Sequence, residues 1–291
     1  MVGKYLLIAA AGVVVFATLA VLAAHTPWAR ARALSWASRF VTRYHLDLEA
    51  GSLGYNALTR RVTLTDVRLA AEGHHDRPFF VASRIEVHLP WSVFQRRFAI
   101  DQLTIRDAIV DIVRDEHNVV NLPPGSNGPS PVQPRRLNLR ALAIEGLDVQ
   151  YEDRFRNWGV SVPRIASDLR NTASGASGTF AVRGPLRMHQ HERVMNFAPF
   201  ETGMTFDGSN VMVDHVALSS PEIEAVLAGR IDRVLDSTTL DLAVQGSVNL
   251  VPALKWVPPA PVDVGGAVAI EGRIAGPAHD FGVDLKVNSR T

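Results

Sequence analysis

The stretch TTLDLAVQGSVNL at residues 238–250 decides the fold class. Leu240, Leu242 and Val244 alternate with Asp241, Ala243 and Gln245, the period-two pattern of a strand with one apolar and one polar side. Outward from it the pattern recurs in RRVTLTDVRLAA (60–71), FFVASRIEVHLP (79–90), FAIDQLTIRDAIVDIVRD (98–115), LNLRALAIEGLDVQYED (137–153), IEAVLAGRID (223–232) and GGAVAIEGRIAG (265–276). Breakers such as Gly51, Gly73, Gly146, Gly184, Gly208 and Gly229 separate such runs, and short connections favour antiparallel meanders over βαβ crossovers. Helical exceptions are expected only at residues 90–97 and 251–257. The chain therefore reads as all-β after its N-terminus.

Its 291 residues, 47% of them hydrophobic, can build a sizeable apolar interior. The 30 basic and 29 acidic residues are spread along the chain and leave a net charge of +1, so no nucleic-acid partner is expected. The absence of cysteine excludes disulfides, thiolate metal sites and cysteine nucleophiles.

Residues 5–24, YLLIAAAGVVVFATLAVLAA, carry no charge and match the roughly 20-residue length of a membrane-spanning helix. A cleaved signal peptide is the competing reading, but its apolar core is usually only about 7–15 residues long. Residues 28–45 then place Ala33, Ala37, Phe40, Val41 and Tyr44 on one helical side and Arg32, Ser35, Arg39 and Arg43 on the other. Trp28, Arg30, Arg32, Arg39 and Arg43 are thus candidates for a membrane interface. By the positive-inside rule these arginines argue for a cytoplasmic body, a rule that weakens when a long folded domain is translocated. The expected organisation is a membrane anchor (1–27), an amphipathic juxtamembrane helix (28–45) and a first β block (46–122). A Pro/Gly/Ser-rich loop (123–135), containing PPGSNGPSPVQP, leads to a second β block (136–291) expected to continue in a longer protein.

Catalytic signatures are missing. The sequence has no G-x-S-x-G elbow, phosphate-binding G-x-x-x-x-G-K-[ST] loop or H-E-x-x-H helix. Asp107 and Asp111 alternate with apolar neighbours as a solvated sheet face would, and His74–His75 and His189/His191 lie in polar stretches without companion ligands. No enzyme activity, metal or cofactor is expected.

Read whole, LTRRVTLTDVRL (58–69) followed by SRIEVHLPWSVFQRRFAIDQLTIRDAIVDIVRDEHNVVNLP (83–123) resembles the N-terminal region of the AsmA-like proteins, the TamB branch in particular. LRALAIEGLDVQYEDR (139–154), AVLAGRID (225–232) and VAIEGRIAGPAHDFGVDLKV (268–287) resemble the repeated strand units of that family. The resemblance implies an anchor in a bacterial inner membrane and a periplasmic body. It also implies an elongated, curled antiparallel sheet with an apolar groove that carries phospholipid toward the outer membrane. It further implies a link to outer-membrane protein and autotransporter assembly, with a barrel of the Omp85 type as partner. Strand parity makes Val62, Leu64, Leu103, Ile105, Leu240 and Leu242 the candidates for the groove floor. Alternation alone leaves a closed β-sandwich open as well, and a scaffold for barrel assembly without lipid conduction is the alternative function.

Overall fold

The structure, a computed structural model, describes residues 42, 45–56, 59–90, 99–123, 138–172, 175–207, 209–233, 238–256, 265–277 and 281–289. Strands dominate them, and all but two belong to one sheet. β1 (Leu46–Glu49) and β2 (Ser52–Asn56) lie end to end along one edge of β3 (Arg61–Ala71). β4 (Phe80–His88) and β6 (Gln102–Arg114) follow antiparallel. β5 (Ala99–Ile100) and β7 (Asn138–Leu139) form a separate small parallel pair.

β8 (Ala141–Asp153) then pairs with β6 in parallel, from Leu103↔Leu142 to Arg114↔Asp153. This step corrects the expectation of a wholly antiparallel sheet. Alternation reports which face a side chain takes and is indifferent to strand direction, whereas the long connection that includes residues 123–135 returns the chain to its starting end, as parallel pairing requires. The sheet therefore runs unbroken from one side of that connection to the other.

Beyond β8 the order is a meander. β9 (Trp158–Thr172) holds β10 (Gly175–Val182) along one half and β11 (Leu186–Gln190) along the other. β12 (Arg193–Phe197) returns along β11, and β13 (Phe200–Phe206) along β10. β14 (Val211–Ser219), β15 (Ile223–Asp232), β16 (Thr239–Asn249), β17 (Ala267–Pro277) and β18 (Gly282–Ser289) each pair antiparallel with the preceding strand. The result is a mixed 16-stranded sheet, running from β1 to β18 without closing on itself. Between β16 and β17 the expected helical segment is found as α1 (Leu250–Ala253) and a 3₁₀ turn (Leu254–Trp256).

The first strands hold the core. Leu46, Val62, Leu64, Val67, Leu69, Val87 and Leu89 are each 2% exposed or less, and Leu103, Ile105, Val110 and Ile112 pack into the same cluster. A row of left-handed positions crosses these strands: Asp66 (φ 52°), Asp107 (φ 46°), Gly146 (φ 77°) and Arg164 (φ 51°). Pairing skips a residue on both strands, with register kept, between Thr65↔Arg84 and Val67↔Ala82 and between Arg106↔Glu145 and Ala108↔Leu147, and the register shifts between β8 and β9 on either side of Leu147. The irregularity at β8 and β9 is a bulge, which strengthens the local twist.

The expected single-pass placement in a bacterial inner membrane, with the body in the periplasm, is corrected. Among the described residues no helix is long and apolar enough to cross a membrane, and α1 with its 3₁₀ turn falls far short of the roughly 20 residues a bilayer requires. The stretch at residues 5–24 that carried the expectation, and Trp28, Arg30, Arg32, Arg39 and Arg43 with it, lie outside the described residues.

Candidate functional site

Directly paired residues on neighbouring strands point to the same face of a sheet, so register can be followed from one edge to the other. From Tyr55 on β2 the row runs Val62, Val87, Leu103, Leu142, Leu169 and Gly178. It continues through Met204, Val213, Gly229, Leu242, Ile274 and Val283 on β18. No residue of this row is charged. Leu64, Ile85, Ile105 and Ile144 form the next row on the same face, and Val211, Ile231 and Leu240 another further along. All six residues expected to line an apolar surface thus lie on one face of one sheet.

Their surroundings differ. Val62 (0%), Leu64 (1%), Leu103 (3%) and Ile105 (9%) are closed into the N-terminal core, whereas Leu240 and Leu242 are half-buried. On β18 the same face carries Val283, Leu285 and Val287 at 53%, 41% and 60% exposure. The apolar face is thus half-buried over much of β8 to β17, with Ala225 and Val244 buried, and is exposed on β18. The two buried hydroxyls on it, Ser167 and Thr202, donate to the backbone carbonyls of Thr179 and Gly203, so they add no free polar group.

Small residues mark where this face is crowded. A Cβ at Gly178 would run into the carbonyl oxygen of Asp168, and one at Gly272 into that of Asp284. Backbone of the neighbouring strand thus approaches each position from the apolar side, as in a sheet bending toward that side.

The opposite face is polar and ion-paired. Glu86, with its side chain 5% exposed, lies among three arginines: Arg84 Nε at 2.6 Å, Arg61 Nη1 at 3.6 Å and Arg106 Nη1 at 3.9 Å. Arg106 also reaches Glu145 at 2.9 Å. On β16 and β17 Arg273 makes a two-pronged contact with Asp241, at 2.6 and 2.7 Å, and the guanidinium holds that carboxyl below the usual carboxylate range. A shallow depression of about 420 Å³ on this face is lined by Met212, Ala228, Arg230, Asp241, Ala243 and Arg273. One rim of the apolar face is closed by fully buried Asp153, which takes a hydrogen bond from Arg114 Nη1 at 3.1 Å and one from the Arg156 N–H at 2.9 Å.

The polar groups singled out from sequence do not converge. His75 pairs with Asp47 and His189 with Glu152, on different strands, and among the described residues no group of three or more His, Asp or Glu could hold a metal ion. Burial pushes the Asp111 carboxyl up. It also holds the His88 imidazole down, with Arg61 adding to the effect, and the two lie toward opposite ends of the β6 pairing. What parity could not supply is the distinction between filled and open parts of the apolar face, because that depends on what packs over it.

The chain matches no family model and no curated protein.

Proposed function

We propose that this protein is a non-enzymatic, AsmA-like lipid carrier, whose sheet curls into a groove in which phospholipid acyl chains lie against the apolar face of β13 to β18. One observation carries the reading: an uncharged row crosses thirteen strands in register, and while Val62 and Leu103 in it are buried, Leu242 is half-buried and Val283 is 53% exposed. An apolar surface of that extent calls for an apolar cover, and each acyl CH₂ withdrawn from water contributes about 0.8 kcal/mol. Thirteen strands at about 4.8 Å spacing span roughly 60 Å, room for several lipids in line. The close backbone approach at Gly178 and Gly272 and the row of left-handed positions favour curling toward this face. The N-terminal strands, filled by their own side chains, serve as the closed end.

Mass spectrometry of lipids that co-purify with the full chain tests the proposal. Phospholipid is expected with the native chain and is lost from Leu240→Asp and Leu242→Asp variants that keep their β circular-dichroism signal. A folded chain that binds no added phospholipid overturns it.

A further inference from the structure

Where β6, β8, β9, β11 and β12 reach the rim of the apolar face, one register row joins Arg114, Asp153, Trp158, Gln190 and Arg193. The next row inward on the same face is Ile112, Tyr151, Val160, Met188 and Met195. Three hydrogen-bond donors, the Trp158 indole, the Gln190 amide and the Arg193 guanidinium, thus stand at the border of an apolar surface. Trp158 packs on Tyr151 with ring centroids 4.9 Å apart, while Gln190 and Arg193 are exposed. The two arginines of the rim row differ. Arg114 has its carboxylate, the buried Asp153, at 3.1 Å. Arg193 makes no ion pair among the described residues, and neither does Arg156, exposed in the turn between β8 and β9. That turn is fixed in place: the Asp153 carboxylate accepts the Arg156 N–H at 2.9 Å, and the Asn157 carbonyl accepts the His191 N–H at 2.8 Å. Arg156 lies within electrostatic reach of the Tyr151 hydroxyl, on the apolar side. Of the nearby acids, Glu152 takes the polar face against His189 at 3.5 Å, and the exposed Glu192 pairs with neither arginine.

We propose that this rim is the headgroup subsite of the carrier. Arg193 and Arg156, with Gln190 and the Trp158 indole, hold the phosphate of a phospholipid, and its acyl chains run inward over Met188, Met195 and Phe197 toward β13. Built on the carrier reading above, the subsite fixes which way the lipid lies. Guanidinium groups bind phosphate through charge-assisted hydrogen bonds, and a tryptophan serves a boundary that is apolar on one side and wet on the other. The path for the tails is continuous. Met188 is 39% exposed, Leu186 and Phe197 form the next pair inward, and Phe200 at the start of β13 shares the face through Val182 and Ile165. From Arg193 to Phe200 the chain covers roughly 23 Å, more than the roughly 15 Å half-thickness of a bilayer's hydrocarbon core. A phosphate without tails gains nothing from the methionines, and an uncharged lipid gains nothing from the arginines, so the arrangement suits a molecule that carries both.

Binding of two lipids with identical acyl chains to the full-length chain, a phosphatidylglycerol and the corresponding diacylglycerol, separates head from tail. The native chain should prefer the phosphatidylglycerol by about ten-fold or more. In the double variant Arg156→Gln, Arg193→Gln that preference should fall to about two-fold or less, with diacylglycerol binding unchanged. Both side chains are exposed, so the variant should keep its β circular-dichroism signal. Glycerol phosphate, the same phosphate without tails, should displace the phosphatidylglycerol only at about a hundred-fold excess or more. Equal binding of the two lipids by the native chain, or a preference that survives the double substitution, overturns the subsite and leaves the carrier reading standing. Displacement by glycerol phosphate at equal concentration also overturns it, and would assign the rim to free phosphate. Binding of neither lipid overturns both readings.

Discussion

The residue that best repays substitution is Glu86. Three guanidinium groups converge on a carboxylate that is almost withdrawn from water, and Arg84 and Arg106 stand directly opposite one another on adjacent strands, an arrangement unfavourable without an intervening anion. Glu86→Gln is expected to destabilise the chain by about 2 kcal/mol, less than for a fully buried pair because the arginines reach solvent, as measured by urea unfolding. Asp241 offers a second test. Its carboxyl is held low by Arg273, so its folded pKa lies below its unfolded one. The stability it contributes is present above the ordinary carboxylate range and is lost as pH falls through the folded value. Arg273→Gln should move the Asp241 titration upward toward its ordinary value by NMR, and flatten the acid limb of the stability curve. His88 has the opposite sense: with its imidazole held low by burial and by Arg61, the folded state is disfavoured as pH drops below the ordinary histidine value.

At the scale of elements, the row of left-handed positions is the feature that sequence hides. Asp66, Asp107 and Arg164 hold left-handed backbone without being glycine, a conformation their neighbours stabilise: the Ser83 hydroxyl donates to the Arg106 carbonyl beside Asp107, and Asp148 accepts the Arg164 N–H at 2.7 Å. Asp107→Val should cost about 2 kcal/mol in thermal or urea unfolding, because a β-branched side chain fits that conformation poorly, whereas Asp107→Gly should be nearly neutral. Strand faces were legible: the alternation of Leu240 and Leu242 with Asp241, and of Val62 and Leu64 with Thr63, assigns their sides correctly, even though the left-handed Asp66 and the bulge at Gly146 shift parity partway along β3 and β8. The parallel pairing of β6 with β8 was not legible. Both strands alternate equally well in either direction, and only the path of the connection between them distinguishes the two.

For the molecule as a whole, the sheet combines a buried end and an exposed end on one face, and the proposed function rests on the difference between them. Sequence placed Val62, Leu103 and Leu242 on the same kind of surface but could not separate them, because hydrophobicity is equal where cover is not. Substitutions should separate them cleanly. Leu103→Ala, in the filled end, should cost about 3 kcal/mol of stability, whereas Leu242→Ala should cost about 1 kcal/mol and reduce lipid binding instead. The most direct measurement uses a phospholipid with a photoreactive group at the end of its acyl chain, with crosslinked positions read by peptide mass spectrometry. Labelling at Leu227, Leu242 and Ile274, with none at Gln245, Arg273 or the buried Val62, is the predicted result. Labelling spread equally over both faces, or none above the level of a soluble control protein, would contradict the account.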